Sequence, residues 1–249
     1  MKLYSYFRSS ASYRVRIALA LKGLSFEYAA VHLLKDGGQQ RSSAYRSLNP
    51  DCLVPTLEDG PHLLTQSLAI VEYLNELHPE PPLLPSNPAD RAYVRSVALQ
   101  VACEIHPVNN LRVLQYLKNT FDITEEQKSE WYLHWVHVGL TSLEARLCHD
   151  ERAKDFVFGS TPSMADISLI PQVWNARRFS IPLDSYPTVV RIAENAMALD
   201  AFKKVEPANQ PDMEWLKTDN QLRERADSTG RRNTFDRGGV YVTTSAVDA

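Results

Sequence analysis

The stretch FRSSASYRVRIALALKG, which runs from Phe7 to Gly23, decides the fold of the N-terminal half of the chain. Its serines carry the side-chain oxygen that caps helix N-termini, and the apolar spacing from Val15 to Leu21 predicts a helix that Gly23 can end. The alternation in Lys2 to Phe7 predicts a strand before this helix, and Phe26 to Leu33 predicts a strand after it. Strand, helix and strand in this order indicate a parallel βαβ unit.

The next segment carries the signals of a short helix, a hairpin and a further helix. SAYRSLNP predicts a short helix before Pro50, and LVPTLEDGPHLLTQS predicts two strands joined by a turn at Asp59 and Gly60. Ser67 is predicted to cap the helix in LAIVEYLNELH. The summed order, βαβ-α-ββα, is the thioredoxin-like α/β arrangement.

A proline-rich connector, PEPPLLPSNP at 79–88, marks the domain boundary, because prolines stiffen a segment that cannot be helix or inner strand. Beyond it, apolar residues recur every three or four positions, which predicts an all-α domain. Ser163 and Asp166 resemble a capping box. The helices predicted there are Ala89–Cys103, Pro107–Lys118, Thr124–Cys148, Met164–Phe179 and Pro187–Phe202.

These patterns divide the chain into four parts. We predict a thioredoxin-like domain at 1–80, a linker at 81–88, an all-helical domain at 89–215 and a flexible tail at 216–249. The tail is polar and poor in periodic apolar residues, which is typical of disorder. Within it, VYVTT at 240–244 has strand character, but no strand is predicted to pair with it.

Length, composition and charge exclude several classes of protein. The 249 residues suit two domains, and the 44% hydrophobic and 23% charged content is typical of a globular protein in water. A net charge of −3 gives no reason to bind nucleic acid or an anionic membrane. No apolar run approaches the roughly 20 residues that cross a bilayer, and no export signal is visible. Three scattered cysteines without a CxxC pair favour a cytoplasmic location.

No metal site is predicted. His134 and His137 are three residues apart in WYLHWVH, a spacing that metal sites use. No nearby acid or cysteine completes a ligand set, so a packed aromatic helix is the better interpretation.

Six segments, taken together and in order, resemble the zeta class of glutathione transferases: FRSSASYRVRIALALKG, KDGGQQ, LNPDCLVPTL, QSLAIVEYL, IHPVNNLRVLQYL and SMADISLIPQVWNARRF. The resemblance covers roughly residues 1–212. It implies the glutathione transferase fold, glutathione as cofactor and a homodimer. It also implies the cis-to-trans isomerisation of 4-maleylacetoacetate to 4-fumarylacetoacetate, in the breakdown of phenylalanine and tyrosine.

Other activities stay open at this point. Maleylpyruvate, a substrate of gentisate degradation, presents a similar cis-enoyl keto acid that the same mechanism serves. A general glutathione transferase and a non-catalytic glutathione-binding module are two further alternatives. A binding module has no reason to keep a dicarboxylate pocket, which argues against the last of these.

The isomerisation requires a soft nucleophile, because a carbon–carbon double bond rotates only when it is made temporarily single. A thiolate suits this step, since its pKa can be lowered towards neutrality. Where the class motif reads SSC, this chain has Ser9, Ser10 and Ala11, so the attacking sulfur is expected from glutathione. Ser9 and Ser10 are expected jointly to stabilise the thiolate at a helix N-terminus, with caps for the first helix as the simpler interpretation. The sequence leaves open which hydroxyl faces sulfur.

The resemblance also implies how the cysteinyl and γ-glutamyl parts of glutathione are bound. A cis peptide bond before Pro55 would turn the backbone of Val54 towards the cysteinyl part. Gln66 and Ser67, at the start of a helix, would bind the γ-glutamyl carboxylate.

Gln40, in the KDGGQQ loop, is the expected ligand of the glycine end, and Lys35 is a weaker candidate. His106 and Asn110 lie four apart on one face of the predicted helix, with Asn109 beside them. We expect the three to line one cavity, with Asn109 binding glutathione and the other two binding substrate.

The substrate is a dicarboxylate whose keto oxygen gains negative charge when sulfur adds to the alkene. Arginine suits both the carboxylates and the keto oxygen, because its planar guanidinium can form two parallel hydrogen bonds to a carboxylate. Arg8, Arg112 and Arg178 match the anionic pocket of the class, although Arg112 lies off the face shared by His106 and Asn110. Arg177 is interpreted as a surface residue.

Overall fold

The computed structural model describes residues 1–213, 233–235 and 241–243. Its N-terminal part contains a four-stranded sheet in the order β2-β1-β3-β4. Strand β1 pairs in parallel with β2, with Leu3 opposite Tyr28, whereas β3 runs antiparallel to both β1 and β4. The strands are β1 (Lys2–Ser5), β2 (Glu27–Ala30), β3 (Thr56–Asp59) and β4 (His62–Thr65). The predicted βαβ unit and hairpin are confirmed.

Three helices accompany this sheet: α1 (Ser10–Leu21), α2 (Ser43–Leu48) and α3 (Ser67–Leu77). Helices α1 and α3 pack on each other, and their apolar residues form one core with Leu3 and Leu57 of the sheet. Tyr45 of α2 belongs to a second, smaller cluster with Tyr6 and Val54. The fold is therefore the thioredoxin-like arrangement that the sequence predicts.

The remaining helices are α4 (Pro88–Leu99), α5 (Leu111–Phe121), α6 (Glu125–Leu147), α7 (Met164–Arg178), α8 (Pro187–Ala198) and α9 (Asp200–Lys203). Helix α7 is the centre of this part, because every residue from 164 to 173 is buried, and α1, α4 and α8 pack on it. Ser163 and Asp166 form the predicted capping box at its start. The α-helical character of the C-terminal part is confirmed.

Three local predictions are wrong. The predicted helix Pro107–Lys118 is interrupted, because Asn110 has extended backbone and caps α5. The predicted helix Pro187–Phe202 breaks at Leu199, where the backbone is again extended. Ser67 does not cap α3: Gln66 occupies the cap position at φ +66°, and Ser67 is the first helical residue.

The predicted tail, 216–249, lies outside the described residues except for 233–235 and 241–243. These two segments are strands β5 (Asn233–Phe235) and β6 (Tyr241–Thr243), which pair antiparallel. The expectation that the strand near 240–244 has no partner is therefore wrong. Among the described residues, no helix has the length and apolar content to span a membrane.

Two side chains join the sheet to the end of the helical part. Arg16 of α1 is fully buried and donates to the carbonyl oxygens of Tyr6, Phe7 and Val205 and to the hydroxyl of Ser5. Burial lowers the pKa of Arg16 to about 10.

Asp212 makes the second connection. Its carboxylate accepts hydrogen bonds from the backbone N–H of Phe7, at 3.1 Å, and from the hydroxyl of Tyr28, at 2.6 Å. The backbone just before α1 is thus held by the last described residues of the helical part.

Candidate active site

The N-terminus of α1 is the centre of the candidate site. Ser9 caps α1, and its hydroxyl oxygen accepts a hydrogen bond from the backbone N–H of Ser12 at 3.1 Å. Ser10 is the first helical residue and is 4% exposed, whereas Ser9 is only half-buried. The Ser10 oxygen accepts a hydrogen bond from Nδ2 of Asn175, on α7, at 3.1 Å. The two serines therefore have different surroundings, which the sequence did not reveal.

Arg8 lies directly before these serines and is half-buried. Its guanidinium donates to the Tyr6 hydroxyl at 3.1 Å and lies 5.2 Å from the centre of the Phe7 ring. Contact with aromatic rings keeps a long cationic side chain in place at the edge of a site.

The loop before β3 supplies backbone to the same region. The Val54–Pro55 peptide bond is cis, as the resemblance implies, and both residues are buried. Tyr45 and Asn49 hold this loop, because each donates a hydrogen bond to the carbonyl oxygen of Leu53, at 2.7 and 2.9 Å respectively.

Arg14 lies beside the first residues of α3 and was not predicted as a site residue. It is 2% exposed, and its Nη1 donates to the Ser67 hydroxyl oxygen at 3.2 Å. Its Nε and Nη2 have no hydrogen-bond partner among the described residues, and burial lowers its pKa to about 10. A buried guanidinium with two unused donors is costly, so an anion here would be stabilised. The available signal was a charged residue within the apolar run of α1.

Two buried amides also have unused polar atoms. Gln40 is 6% exposed, and its Oε1 has no partner among the described residues. Asn109 is 8% exposed, and neither polar atom of its side chain has a partner there. Buried polar groups are normally hydrogen-bonded, so the unpaired atoms of these two amides indicate that each can bind a polar ligand.

The prediction that His106 and Asn110 share one face of a helix, with Asn109 beside them, is wrong. His106 lies at the end of a π turn (Gln100–Ile105), Asn109 in a 3₁₀ turn (Pro107–Asn109), and Asn110 at the cap of α5. The Asn110 side chain is used for capping, because it accepts from the backbone N–H of Arg112 at 3.1 Å. Pro107 explains the break, since proline lacks the N–H that an α-helix needs.

His106 is electrically neutral at physiological pH. Desolvation, followed by the positive charges of Arg14 and Arg112, lowers its pKa to about 3. Arg112 itself is exposed on α5. The positive charges of Arg14, on α1, and Arg112, on α5, therefore both disfavour the protonated form of His106.

The C-terminal end of α7 approaches α1 from the helical part. Arg178 donates to Oδ1 of Asn175 at 3.4 Å and lies 4.7 Å from the centre of the Phe179 ring. Asn175 thus connects Arg178 with Ser10, and it is a residue that sequence reasoning missed. Arg177, interpreted from the sequence as a surface residue, is half-buried, and its Nη2 lies 3.9 Å from Oε1 of Glu194 on α8.

The histidine pair in α6 has structural contacts. His137 forms a short hydrogen bond with the hydroxyl of Tyr186, and His134 packs edge-on against Trp135. Within the described part of the chain, no cluster of histidine, cysteine and acidic side chains could hold a metal ion.

Comparison with known proteins places this geometry in a family. A family profile described as "Glutathione S-transferase, N-terminal domain" matches residues 1–76. The chain is also similar to a holo maleylpyruvate isomerase structure described as a bacterial glutathione transferase of the zeta class. The TM-score is 0.83 and the identity 44%, over 86% of this chain and 100% of the other. The chain belongs to the zeta class of glutathione transferases.

Other members of the zeta class are equally informative. A probable maleylacetoacetate isomerase of Vibrio cholerae is 48% identical over 210 residues, which is 84% of this chain and 97% of the relative. The structure of a maleylacetoacetate isomerase of Methylobacterium extorquens AM1, with bound malonate and glutathione, has a TM-score of 0.83 at 39% identity. That comparison covers 86% of this chain and 100% of the other. The resemblance to the zeta class that the sequence indicates is confirmed.

Proposed function

We propose that the chain is a glutathione-dependent cis–trans isomerase that converts 4-maleylacetoacetate to 4-fumarylacetoacetate. The observation that carries this proposal is the set of unpaired donors and acceptors on Arg14, Gln40 and Asn109, in a chain 48% identical to a probable maleylacetoacetate isomerase. Anionic and amide groups of a tripeptide would satisfy these atoms, so the residues present fit glutathione.

The residues that would hold glutathione come from α1, the start of α3, the loop before β3 and the KDGGQQ loop. Arg14 and Ser67, with the N-terminus of α3 at Gln66, would bind the γ-glutamyl carboxylate, because a cation and unpaired N–H groups converge there. The backbone of Val54 would pair with the cysteinyl part, and the buried amide of Gln40 would meet the glycine end.

Asn109 would complete this set of contacts with its orphaned amide. When bound, glutathione supplies the thiolate that adds reversibly to the substrate alkene.

Ser9 is the better candidate to stabilise the thiolate. Both serine oxygens accept one hydrogen bond and keep a proton to donate, but Ser9 is half-buried whereas Ser10 is 4% exposed, so a ligand can reach the Ser9 hydroxyl more easily. Ser10 is buried and bonded to Asn175 of α7, so it links the two parts of the chain. The partial positive charge at the N-terminus of α1 adds about 0.3–1 kcal/mol of stabilisation for an anion.

The substrate would be held by guanidinium groups around this sulfur position. Arg8, Arg112 and Arg178 come from three different elements, which suits a molecule with two carboxylates and a keto oxygen. The negative charge that develops on the keto oxygen needs a cationic partner, and arginine stays charged throughout the reaction. The neutral imidazole of His106 can donate or accept a hydrogen bond near Arg112.

The decisive experiment compares maleylacetoacetate and maleylpyruvate as substrates, each with and without glutathione. We expect a higher kcat/KM on maleylacetoacetate and no turnover without glutathione. A much larger kcat/KM on maleylpyruvate would instead favour the second candidate, which the similarity to the maleylpyruvate isomerase structure supports. Faster conjugation of chlorinated electrophiles would indicate a general transferase, and glutathione binding without turnover would indicate a binding module.

A homodimer is also proposed, with the α3–α4 side of the molecule as its interface. A groove of about 460 Å³ lies there, and it is lined by residues that include Glu72, Arg95 and Leu99. Leu99 is 46% exposed, and Leu63 on the edge strand β4 is 39% exposed. Sedimentation velocity of wild type and Leu99→Asp would test this, and an unchanged dimer in the variant would exclude this face.

The remaining proposals concern domains and location. We propose domain boundaries at 80 and 88, supported by the proline-rich connector, and a cytoplasmic location, supported by free Cys52, Cys103 and Cys148. Limited proteolysis would test the boundaries, and fractionation of cells would test the location.

A further inference from the structure

His32 is a buried residue between β2 and the KDGGQQ loop, and it takes no part in the site described above. It is 7% exposed, and its ring packs edge-on against Tyr6 with the ring centres 4.9 Å apart. Its Nδ1 accepts hydrogen bonds from two successive backbone N–H groups, those of Leu34 at 3.1 Å and Lys35 at 2.9 Å. An imidazole can accept at Nδ1 only when that nitrogen carries no proton.

The backbone of His32 is bonded to the far end of the same loop. Its N–H donates to Oε1 of Gln39 at 2.9 Å, and its carbonyl oxygen accepts from the N–H of Gln39, also at 2.9 Å. Four hydrogen bonds therefore close the loop on this one residue, two through the ring and two through the main chain.

The loop depends on such contacts because its backbone is irregular. It consists of two 3₁₀ turns, Lys35–Gly37 and Gln39–Arg41, and three successive residues have positive φ: Asp36 at 56°, Gly37 at 75° and Gly38 at 102°. A left-handed backbone is uncommon outside glycine, and aspartate is one of the residues that adopt it most readily, which suits Asp36 to this turn.

The conformation of this loop determines where Gln40 lies. A Cβ atom added to Gly38 would lie 2.7 Å from Nε2 of Gln40, so the glutamine amide packs directly against the loop backbone. The same amide donates to the carbonyl oxygen of Leu33 at 3.4 Å, which leaves the orphaned Oε1 for a ligand. Any movement of the loop between Leu33 and Gly38 would therefore move Gln40.

We propose that His32 is a positioning residue of the glutathione site: its Nδ1 holds the 33–40 loop so that Gln40 presents its amide to the glycine end of the tripeptide. This inference rests on the proposed function, since it requires that glutathione binds beside Gln40.

Three substitutions separate the acceptor from the bulk of the ring. In His32→Asn, Oδ1 takes the place of Nδ1, whereas His32→Gln moves the acceptor one methylene further out and His32→Leu removes it. Binding of S-methylglutathione, measured by calorimetry, avoids titration of the thiol. We expect His32→Leu and His32→Gln to lower the affinity about ten-fold, because two hydrogen bonds are lost, and His32→Asn to stay within about three-fold of wild type.

A second measurement separates positioning from a general loss of structure. Amide hydrogen exchange at Leu34 and Lys35 should accelerate in His32→Leu and His32→Gln but not in His32→Asn, and it requires no ligand.

The assignment would be overturned if His32→Leu kept the wild-type affinity for S-methylglutathione and the wild-type rate of amide exchange. It would also be overturned if His32→Asn and His32→Leu weakened binding equally. A wild type that binds no S-methylglutathione at all would instead overturn the proposed function, and this assignment with it.

Discussion

Replacing Asp212 with alanine removes the acceptor that joins the end of the helical part to the backbone before α1. The carboxylate accepts from the Phe7 N–H at 3.1 Å and from the Tyr28 hydroxyl at 2.6 Å. Phe7 is 4% exposed, so water cannot easily replace the lost acceptor for its N–H. A hydrogen bond to a charged group contributes about 1.5–3 kcal/mol to stability, and partial exposure of Asp212 favours the lower value.

The two bonds together therefore predict a loss of about 3 kcal/mol in the free energy of unfolding of Asp212→Ala. For a chain of this size, a loss of that order lowers Tm by roughly 6–12 °C. Phe7 directly precedes Arg8 and Ser9, so affinity for glutathione should fall as well. Denaturation followed by circular dichroism measures the first effect, and calorimetric titration with glutathione measures the second.

Asp184→Ala is the matched control, since Asp184 is an exposed aspartate elsewhere in the helical part. Asp212→Asn keeps the shape and one acceptor oxygen but removes the charge, and it should lose about half as much stability. If Asp212→Ala melts within 1 or 2 °C of the Asp184→Ala control, the connection contributes nothing and the reasoning is refuted.

Three further predictions concern the site and its supporting helix. Ser9→Ala should raise the thiol pKa of bound glutathione by about 1–2 units, whereas Ser10→Ala should not. Thiolate absorbance followed against pH would measure both values, and equal shifts in the two variants would contradict the assignment. Arg178→Ala should raise KM for the dicarboxylate substrate about ten-fold or more with a smaller change in kcat, and steady-state kinetics showing only a kcat effect would refute a binding role. Burial raises the pKa of Asp166 to about 6, above its value in the unfolded chain, so this group stabilises the fold at acidic pH and that contribution is lost as the pH rises through about 6. Urea denaturation of Asp166→Asn should therefore show a smaller decline in stability from pH 4 to pH 6 than the wild type, and parallel curves would count against it.

Elements with strong local signals were predictable from the sequence. Gly23 and Gly60 both adopt the positive φ expected where α1 ends and where the hairpin turns. The capping box of Ser163 and Asp166 was likewise visible as a short-range pattern. Each of these features depends on residues a few positions apart, so a single stretch of sequence contains all the information.

The errors arose where two local signals competed. Apolar spacing across 107–118 predicted one helix, but Asn110 is a strong capping residue and Pro107 lacks an N–H, and these two effects prevailed. Serine is typical of helix caps, but the hydroxyl oxygen of Ser67 instead accepts a hydrogen bond from the guanidinium of Arg14.

The contacts that shape the site were beyond sequence reasoning because they join distant residues. Arg14 and Ser67 are 53 positions apart, Ser10 and Asn175 are 165 apart, and Phe7 and Asp212 are 205 apart. Such pairs depend on how the helical part packs on the sheet. A family resemblance implied residue roles, but it did not imply these partners.

The buried guanidinium of Arg16 limits which relatives can exchange C-terminal halves with this chain. One of its donors is satisfied by Val205, near the end of the helical part, and the others by the chain around β1. The N-terminal half alone therefore does not supply the full set of acceptors. A chimera that takes its C-terminal half from a relative should therefore fold only if that half places a backbone carbonyl oxygen where Val205 has one. The isolated thioredoxin-like half should express poorly.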